Sequence, residues 1–87
     1  MPQISRFFGI VIYMYAKDHL PPHFHAIYGE EEAMVDIKTG EIMKGHLGRR
    51  ALRLVQEWAE LHPKELLENW KETQNTTPDF KQIEPLK

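Results

Sequence analysis

Hydrophobic and polar residues alternate along the first half of the chain, whereas apolar residues recur every three or four positions along the second half. Alternation rich in β-branched and aromatic residues predicts four strands. They are expected at positions 10–15, 23–28, 32–38 and 41–44. The longer spacing predicts helices at positions 48–61 and 63–74, with Trp58 and Trp70 on their buried stripes. We therefore expect an α+β fold: a four-stranded antiparallel meander sheet followed by two helices packed on one face, in the order ββββαα.

The size and composition of the chain narrow the class of protein. At 87 residues it has the length of one domain, and we expect 1–87 to form a single domain. It has no cysteine, which excludes disulfides and thiolate metal sites. The longest apolar run, at positions 10–16, is too short to span a membrane, so no membrane partner is expected. The tail has apolar residues at positions 80, 83 and 86, which indicates that it packs back on the core.

The segment DHLPPHFH, from Asp18 to His25, holds three of the five histidines. Histidine titrates near neutral pH and is the commonest metal ligand. The two prolines end the connection before the second predicted strand, and His23 and His25 then alternate with Phe24. Because the core takes the apolar residue, both histidines should point to the outer face of the sheet.

Strand register is expected to bring Asp36 to these histidines. A turn at positions 29–30 sets His23 opposite Asp36, and a turn at positions 30–31 sets His25 opposite it. A hairpin turn at positions 39–40 would pair Ile37 with Ile42. The outer face would then be an aromatic and methionine patch of the kind that marks an interaction site. Its expected members are Tyr13, Tyr15, His23, His25, Met34, Asp36 and Met43.

Three interpretations of the histidine segment stay open. In the first, the histidines are structural or contact a partner. In the second, the candidate catalytic residues His19, His23, His25 and Asp36 supply general acid–base chemistry or an anion contact. In the third, two histidines bind a metal with Asp36, Asp18 or His19 as the third ligand. A His-x-His sequence near an acid often arises by chance, so the motif alone does not choose among them.

A second group of candidate residues is basic. Arg49, Arg50 and Arg53 crowd the start of the first predicted helix, where the helix dipole is already positive. A bound phosphate or nucleic acid would compensate this charge, and Arg6 could join the anion-binding group. The alternative is internal pairing, with Glu57 four residues beyond Arg53 or with the acids at positions 30–32.

Five blocks of sequence carry a resemblance to a known family. They are Pro2-x-Ile4-x-Arg6-Phe7-x-Gly9-Ile10, Met14-Tyr15, Asp18-His19-x-Pro21-Pro22-His23-Phe24-His25, Tyr28-Gly29-Glu30 and Arg49-Arg50-Ala51-Leu52-x-Leu54-Val55-x-Glu57-Trp58. On these residues the chain resembles a family of small bacterial proteins known only as a domain of unknown function. That family is often encoded beside a second small domain, in gene pairs similar to toxin–antitoxin modules. The resemblance implies a cytoplasmic protein that binds a cognate small protein partner, and it supplies no catalytic assignment.

The leading hypothesis is a cytoplasmic component of such a toxin–antitoxin-like module that acts by partner binding. If the chain is the toxin, we expect RNA cleavage without a metal or other cofactor. His23 or His25 would act as acid or base, and Arg49, Arg50 or Arg53 would hold the phosphate. One alternative is a transition-metal-binding module, with zinc as the expected ion, and another is a non-enzymatic interaction protein such as an antitoxin. The sequence also permits a homo-oligomer.

Overall fold

The computed structural model describes residues 3–87 and contains a sheet followed by two helices, which confirms the expected α+β class. The sheet is antiparallel and its strands lie side by side in chain order, but it has five strands rather than four. The strands are β1 (Gln3–Phe7), β2 (Ile10–Tyr13), β3 (His23–Tyr28), β4 (Glu31–Asp36) and β5 (Ile42–Gly45). The helices are α1 (Arg49–Leu61) and α2 (Pro63–Thr73), close to the predicted positions.

The additional strand is β1, which the sequence pattern did not reveal. It joins β2 through Phe8 and Gly9, which both have positive φ, at 49° and 81°. Such turns usually contain Asn-Gly or Asp-Gly, so Phe-Gly gave no clear hairpin signal. The free edge of β1 is bound by the C-terminal tail, where the Ile83 N–H donates to the Ile4 carbonyl at 2.8 Å. Ile83 is buried, which confirms that the tail packs back on the core.

The register of β3 with β4 follows one of the two expected pairings. His23 lies opposite Asp36, as a turn at positions 29–30 requires. Phe24 and Val35 are paired on the inner face and fully buried. This register fixes which side of β3 carries the histidines.

The expected pairing of Ile37 with Ile42 in the next hairpin is wrong. Ile42 pairs with Val35, because β4 ends at Asp36 and the chain turns earlier than predicted. The Asp36 carboxylate causes this early turn by accepting hydrogen bonds from the N–H groups of the next residues, Lys38 at 2.7 Å and Thr39 at 3.0 Å.

Each of the two helices contributes a tryptophan to the core. Trp58 of α1 is fully buried and its ring contacts Phe7 and Phe24 on the inner face of the sheet. Trp70 of α2 is buried and reaches His23, with ring centroids 5.2 Å apart. Both tryptophans are therefore core residues, as predicted. Within residues 3–87 no helix is long and apolar enough to cross a membrane.

Candidate functional site

Asp18, His23 and His25 form a compact group, the Asp–His cluster. The two histidines are one pleat apart on β3, and Asp18 lies in the connection between β2 and β3. Asp18 Oδ2 is 2.9 Å from His23 Nε2 and 3.1 Å from His25 Nε2. One ligand atom from each of the three residues lies within 4.8 Å of the other two. The cluster therefore brings two imidazole nitrogens and one carboxylate to a common point.

The expectation that Asp36 is the acid of this cluster is wrong. Asp36 is the Cα partner of His23, but its carboxylate is engaged with its own turn. Asp18 takes its place because long-range hydrogen bonds tie the β2–β3 connection to the end of α2. The Lys17 N–H donates to the Thr73 carbonyl, and Gln74 Nε2 donates to the Asp18 carbonyl. These contacts hold Asp18 over the histidines.

The expectation that the outer face of the sheet is exposed is also wrong for the residues at its centre, which are buried. His23 is 1% exposed, His25 is 6% exposed and Tyr13 is 1% exposed. The β2–β3 connection and Trp70 cover this part of the sheet. Tyr15 and Met43 are the expected members that lie at the surface, with Met34 and Asp36 half-buried. The histidines therefore face an enclosed polar centre.

The hydrogen bonds of His23 restrict the position of its protons. His23 Nδ1 is 2.8 Å from the Pro21 carbonyl, which can only accept, so Nδ1 carries a hydrogen and donates it. In a neutral ring Nε2 then has a lone pair, yet it faces the Asp18 carboxylate at 2.9 Å. Two acceptors this close require a hydrogen or a metal ion between them; the hydrogen can be carried by Nε2 or by the Asp18 carboxyl.

Asp18 is the anionic member of the cluster. Burial acts to raise the pKa of Asp18, but hydrogen bonds from His25 and from the His19 backbone N–H, with the nearby histidine charges, hold it below its ordinary value. The His19 N–H donates to Asp18 Oδ1 at 2.9 Å, while the His19 residue is itself exposed. His19 thus supports the cluster through its backbone, and its predicted catalytic role rests on the sequence alone.

A second layer of side chains surrounds His25. The Tyr13 ring stacks on it with centroids 5.1 Å apart, and the Tyr13 hydroxyl donates to Glu32 Oε2 at 2.5 Å. Burial and the neighbouring Glu32 raise the pKa of Tyr13, so its hydroxyl stays protonated as a donor. Glu32 Oε2 is 3.7 Å from His25 Nδ1, a buried nitrogen that has no hydrogen-bond partner. Sequence reasoning missed Glu32, although it lies one pleat from Met34 on the outer face.

The basic candidates lie apart from this cluster in the sequence and in their contacts. Arg49, Arg50 and Arg53 are exposed on the first turns of α1 and form no ion pair with any residue in the range 3–87. The bridge from Arg53 to Glu57, part of the alternative to anion binding, is therefore not made. Arg6 is exposed on β1.

A carboxylate of the chain already occupies the start of α1. The Gly48 N–H donates to Glu31 Oε1 at 2.9 Å, which places a negative charge where the helix dipole favours one. The same carboxylate group lies 3.2 Å from His46. Glu31 therefore places a negative charge at the start of α1, but it pairs with His46 and not with the arginines, so it does not make the internal pairing that the sequence offered as the alternative to a bound anion. The anion-binding role of the arginines stays a prediction.

Comparison with known proteins identifies a family. The profile of a domain of unknown function, DUF4160, matches residues 9–71. No curated protein and no solved structure matches the chain. The matched segment runs from the β1–β2 turn into α2 and includes the whole Asp–His cluster. The chain belongs to the DUF4160 family.

Proposed function

We propose that this DUF4160 chain is a transition-metal-binding module whose ligands are Asp18, His23 and His25. The observation that carries the proposal is the convergence of three ligand atoms within 4.8 Å, in a place where both histidines are buried. Buried charged groups are stable only when they are paired or bind a metal. The aromatic walls that Tyr13 and Trp70 form around the histidines supply the apolar surroundings common to such centres.

The hydrogen bond from His23 to a backbone carbonyl favours a metal ion, rather than hydrogens alone, as the link between the histidines and Asp18. Metal-bound histidines commonly donate their second ring N–H to a backbone carbonyl or carboxylate, which fixes the tautomer. His23 already does so through Nδ1 and the Pro21 carbonyl, and Nε2 is thereby directed at Asp18. A divalent cation accepts lone pairs from all three ligand atoms at once, whereas without a metal an additional hydrogen must lie between His23 Nε2 and Asp18.

The ligand set indicates the class of metal. Two imidazoles and one carboxylate suit zinc, manganese or ferrous iron, and the chain has no thiolate that would favour softer ions. Three protein ligands are the number found in zinc sites that keep a coordination position for water or substrate.

The ribonuclease hypothesis from the sequence has less support from the same geometry. A general acid or base must come within about 3 Å of the proton that it transfers. His23 and His25 are 1% and 6% exposed, so a phosphodiester in RNA has no path to their ring nitrogens without movement of the β2–β3 connection. RNA cleavage stays a prediction of the sequence.

The zinc titration of three proteins tests the metal proposal. We expect the unmodified chain to bind one zinc ion, and Asp18→Asn to weaken the affinity by at least about 100-fold, since losing even an outer-shell partner costs 10- to 100-fold. Asp36→Asn is the matched control: it makes the same chemical change at the acid that the sequence pattern favoured, and it should bind zinc like the unmodified chain. Isothermal calorimetry measures the affinities, and circular dichroism checks the fold.

A second readout is thermal stability. A ligand at 100 times its dissociation constant stabilises the folded state by about 2.7 kcal/mol. Zinc should therefore raise the melting temperature of the unmodified chain and of Asp36→Asn, but not that of Asp18→Asn. Saturable zinc binding that is equal in all three proteins, or no binding by the unmodified chain, contradicts the proposal.

We also propose that the chain works in the cytoplasm with a small protein partner, as one component of a toxin–antitoxin-like pair. The observation that supports partner binding is the outer edge of β5, the last strand of the sheet, with which no strand in the range 3–87 pairs. Met43 on this strand is 38% exposed. Unpaired strand edges recruit extended segments of other chains.

The partner to test is a second small protein encoded beside this chain, as the resemblance to toxin–antitoxin-like gene pairs implies. We expect it to bind the unmodified chain, and we expect Met43→Lys to weaken binding by about tenfold or more because a lysine opposes edge pairing. Leu61→Lys adds the same charge at an exposed leucine of α1, which is 63% exposed, and should leave affinity unchanged. Growth arrest on expression of the chain alone would identify the toxin of the pair. Equal partner binding by both variants would exclude the β5 edge as the binding surface for the partner.

A further inference from the structure

We propose that Glu32 is the positioning residue of His25 in the metal-bound state, and that Tyr13 holds Glu32 in place for it. This inference rests on the proposed metal site at Asp18, His23 and His25. The observation behind it is that the two ring nitrogens of His25 differ in their hydrogen-bond partners. Nε2 has a partner in Asp18, whereas Nδ1 is buried with none, and Glu32 Oε2 stands 3.7 Å from it.

The separation of 3.7 Å has a simple explanation in the metal-free chain. His25 Nε2 lies 3.1 Å from the Asp18 carboxylate and donates its hydrogen there. Nδ1 of a neutral ring then has only a lone pair, and a carboxylate oxygen gains nothing by approaching it. Glu32 therefore remains beyond hydrogen-bond distance.

Metal binding changes which nitrogen needs a partner. The ion takes the lone pair of Nε2, so the hydrogen of a neutral His25 ring must be on Nδ1. The Nε2 hydrogen leaves to solvent and a hydrogen is taken up at Nδ1, which keeps the ring charge unchanged. A buried N–H without an acceptor opposes binding. Glu32 is the acidic side chain that faces Nδ1, and its Oε2 would have to approach the ring by less than about 1 Å to accept a hydrogen bond.

Tyr13 fixes the Glu32 carboxylate for this contact. Its hydroxyl donates to Glu32 Oε2 at 2.5 Å, and its ring is stacked on His25. The Tyr15 hydroxyl lies 3.3 Å from the Tyr13 hydroxyl and extends the chain of polar groups. Hydrogen bonds of this second layer orient the ligand and typically change metal affinity by about 10- to 100-fold. The Tyr13–Glu32 pair therefore acts on His25. His23 does not need such a pair, because its Nδ1 already donates to the Pro21 carbonyl.

The experiment compares zinc affinities of four variants with that of the unmodified chain. We expect Glu32→Gln to weaken zinc binding by about 10- to 100-fold, and Tyr13→Phe to weaken it less. Adding Tyr13→Phe to Glu32→Gln should produce no further loss, because the hydroxyl acts through the carboxylate. Glu30→Gln, an exposed acid in the adjacent turn, is the matched control and should bind as the unmodified chain does.

A spectroscopic measurement separates positioning from a general structural effect. Nitrogen chemical shifts of the His25 ring should report Nδ1–H with zinc and Nε2–H without it, and urea unfolding of the metal-free Glu32→Gln variant should be close to that of the unmodified chain. Zinc binding that is unaffected by Glu32→Gln, or a His25 ring that keeps Nε2–H with zinc bound, overturns this inference and leaves the metal site standing. No zinc binding by the unmodified chain overturns both.

Discussion

Gly45→Ala is expected to destabilise the chain by about 3–5 kcal/mol, the combined effect of backbone strain and overpacking. Gly45 ends β5 with a φ of 87°, which side chains rarely adopt. A Cβ at this position would lie 2.2 Å from the carbonyl oxygen of Glu32 and 3.0 Å from Cα of Ala33, both backbone atoms of β4. Because backbone atoms cannot rotate away, β4 and β5 would have to separate.

Urea unfolding of Gly29→Ala provides the comparison for Gly45→Ala. Gly29 also has a positive φ, 61°, but a Cβ there would have no heavy atom within 4 Å. The unfolding free energy of Gly29→Ala should therefore fall only by the cost of backbone strain, about 1–2 kcal/mol. Equal losses of stability in the two variants would mean that the backbone of β4 shifts away from the added methyl group at little energetic cost. Because the clash involves Glu32, we expect Gly45→Ala also to reduce zinc affinity, whereas Gly29→Ala should not.

Trp58→Ala is expected to cost about 3–5 kcal/mol of unfolding free energy, the usual range for removing a fully buried large aromatic. Trp58 is 0% exposed, packs against Phe7 and Phe24, and donates its indole N–H to the Glu84 carbonyl at 2.8 Å. Its removal leaves a cavity between α1 and the sheet and also removes one of the hydrogen bonds that hold the tail. Such a loss is comparable to the whole stability of a small domain.

The control for Trp58→Ala is Leu61→Ala on the same helix. Leu61 is 63% exposed, so its truncation should change the unfolding free energy by less than about 0.5 kcal/mol. Denaturant unfolding monitored by circular dichroism suits both variants. A loss of less than about 1 kcal/mol in Trp58→Ala would show that the tail and α1 are not packed as described.

The parts of the fold that local patterns determine could be predicted. Alternation located β3 at its observed positions, and the need to bury Phe24 limited the register to two choices, one of which is correct. Helical spacing located α1 and α2 within one residue at their starts and ends. β1 could not be predicted because its Phe8-Gly9 turn lacks the usual hairpin residues and because its outer edge is completed by Ile83, a partner far away in sequence.

The candidate site could be predicted in its histidines but not in its acids. The motif identified His23 and His25, and strand geometry put them on one side of β3. Asp36 was favoured over Asp18 because register is a local argument, whereas the position of Asp18 depends on hydrogen bonds to residues more than fifty positions away. A short acidic side chain after a strand often serves its own turn, as Asp36 does.

The bond between the Lys17 N–H and the Thr73 carbonyl ties the end of the last helix to the segment that carries Asp18. Residues 17 and 73 belong to segments that must both be in place before Asp18 meets the histidines, so occupation of the proposed metal site and docking of α2 would favour each other. In thermodynamic terms, an ion bound at the proposed site would stabilise the docked α2, and any event that undocks the end of α2 would lower the affinity for that ion by the same free energy. The end of α2 is thus a place from which a binding event elsewhere on the chain could release the bound ion.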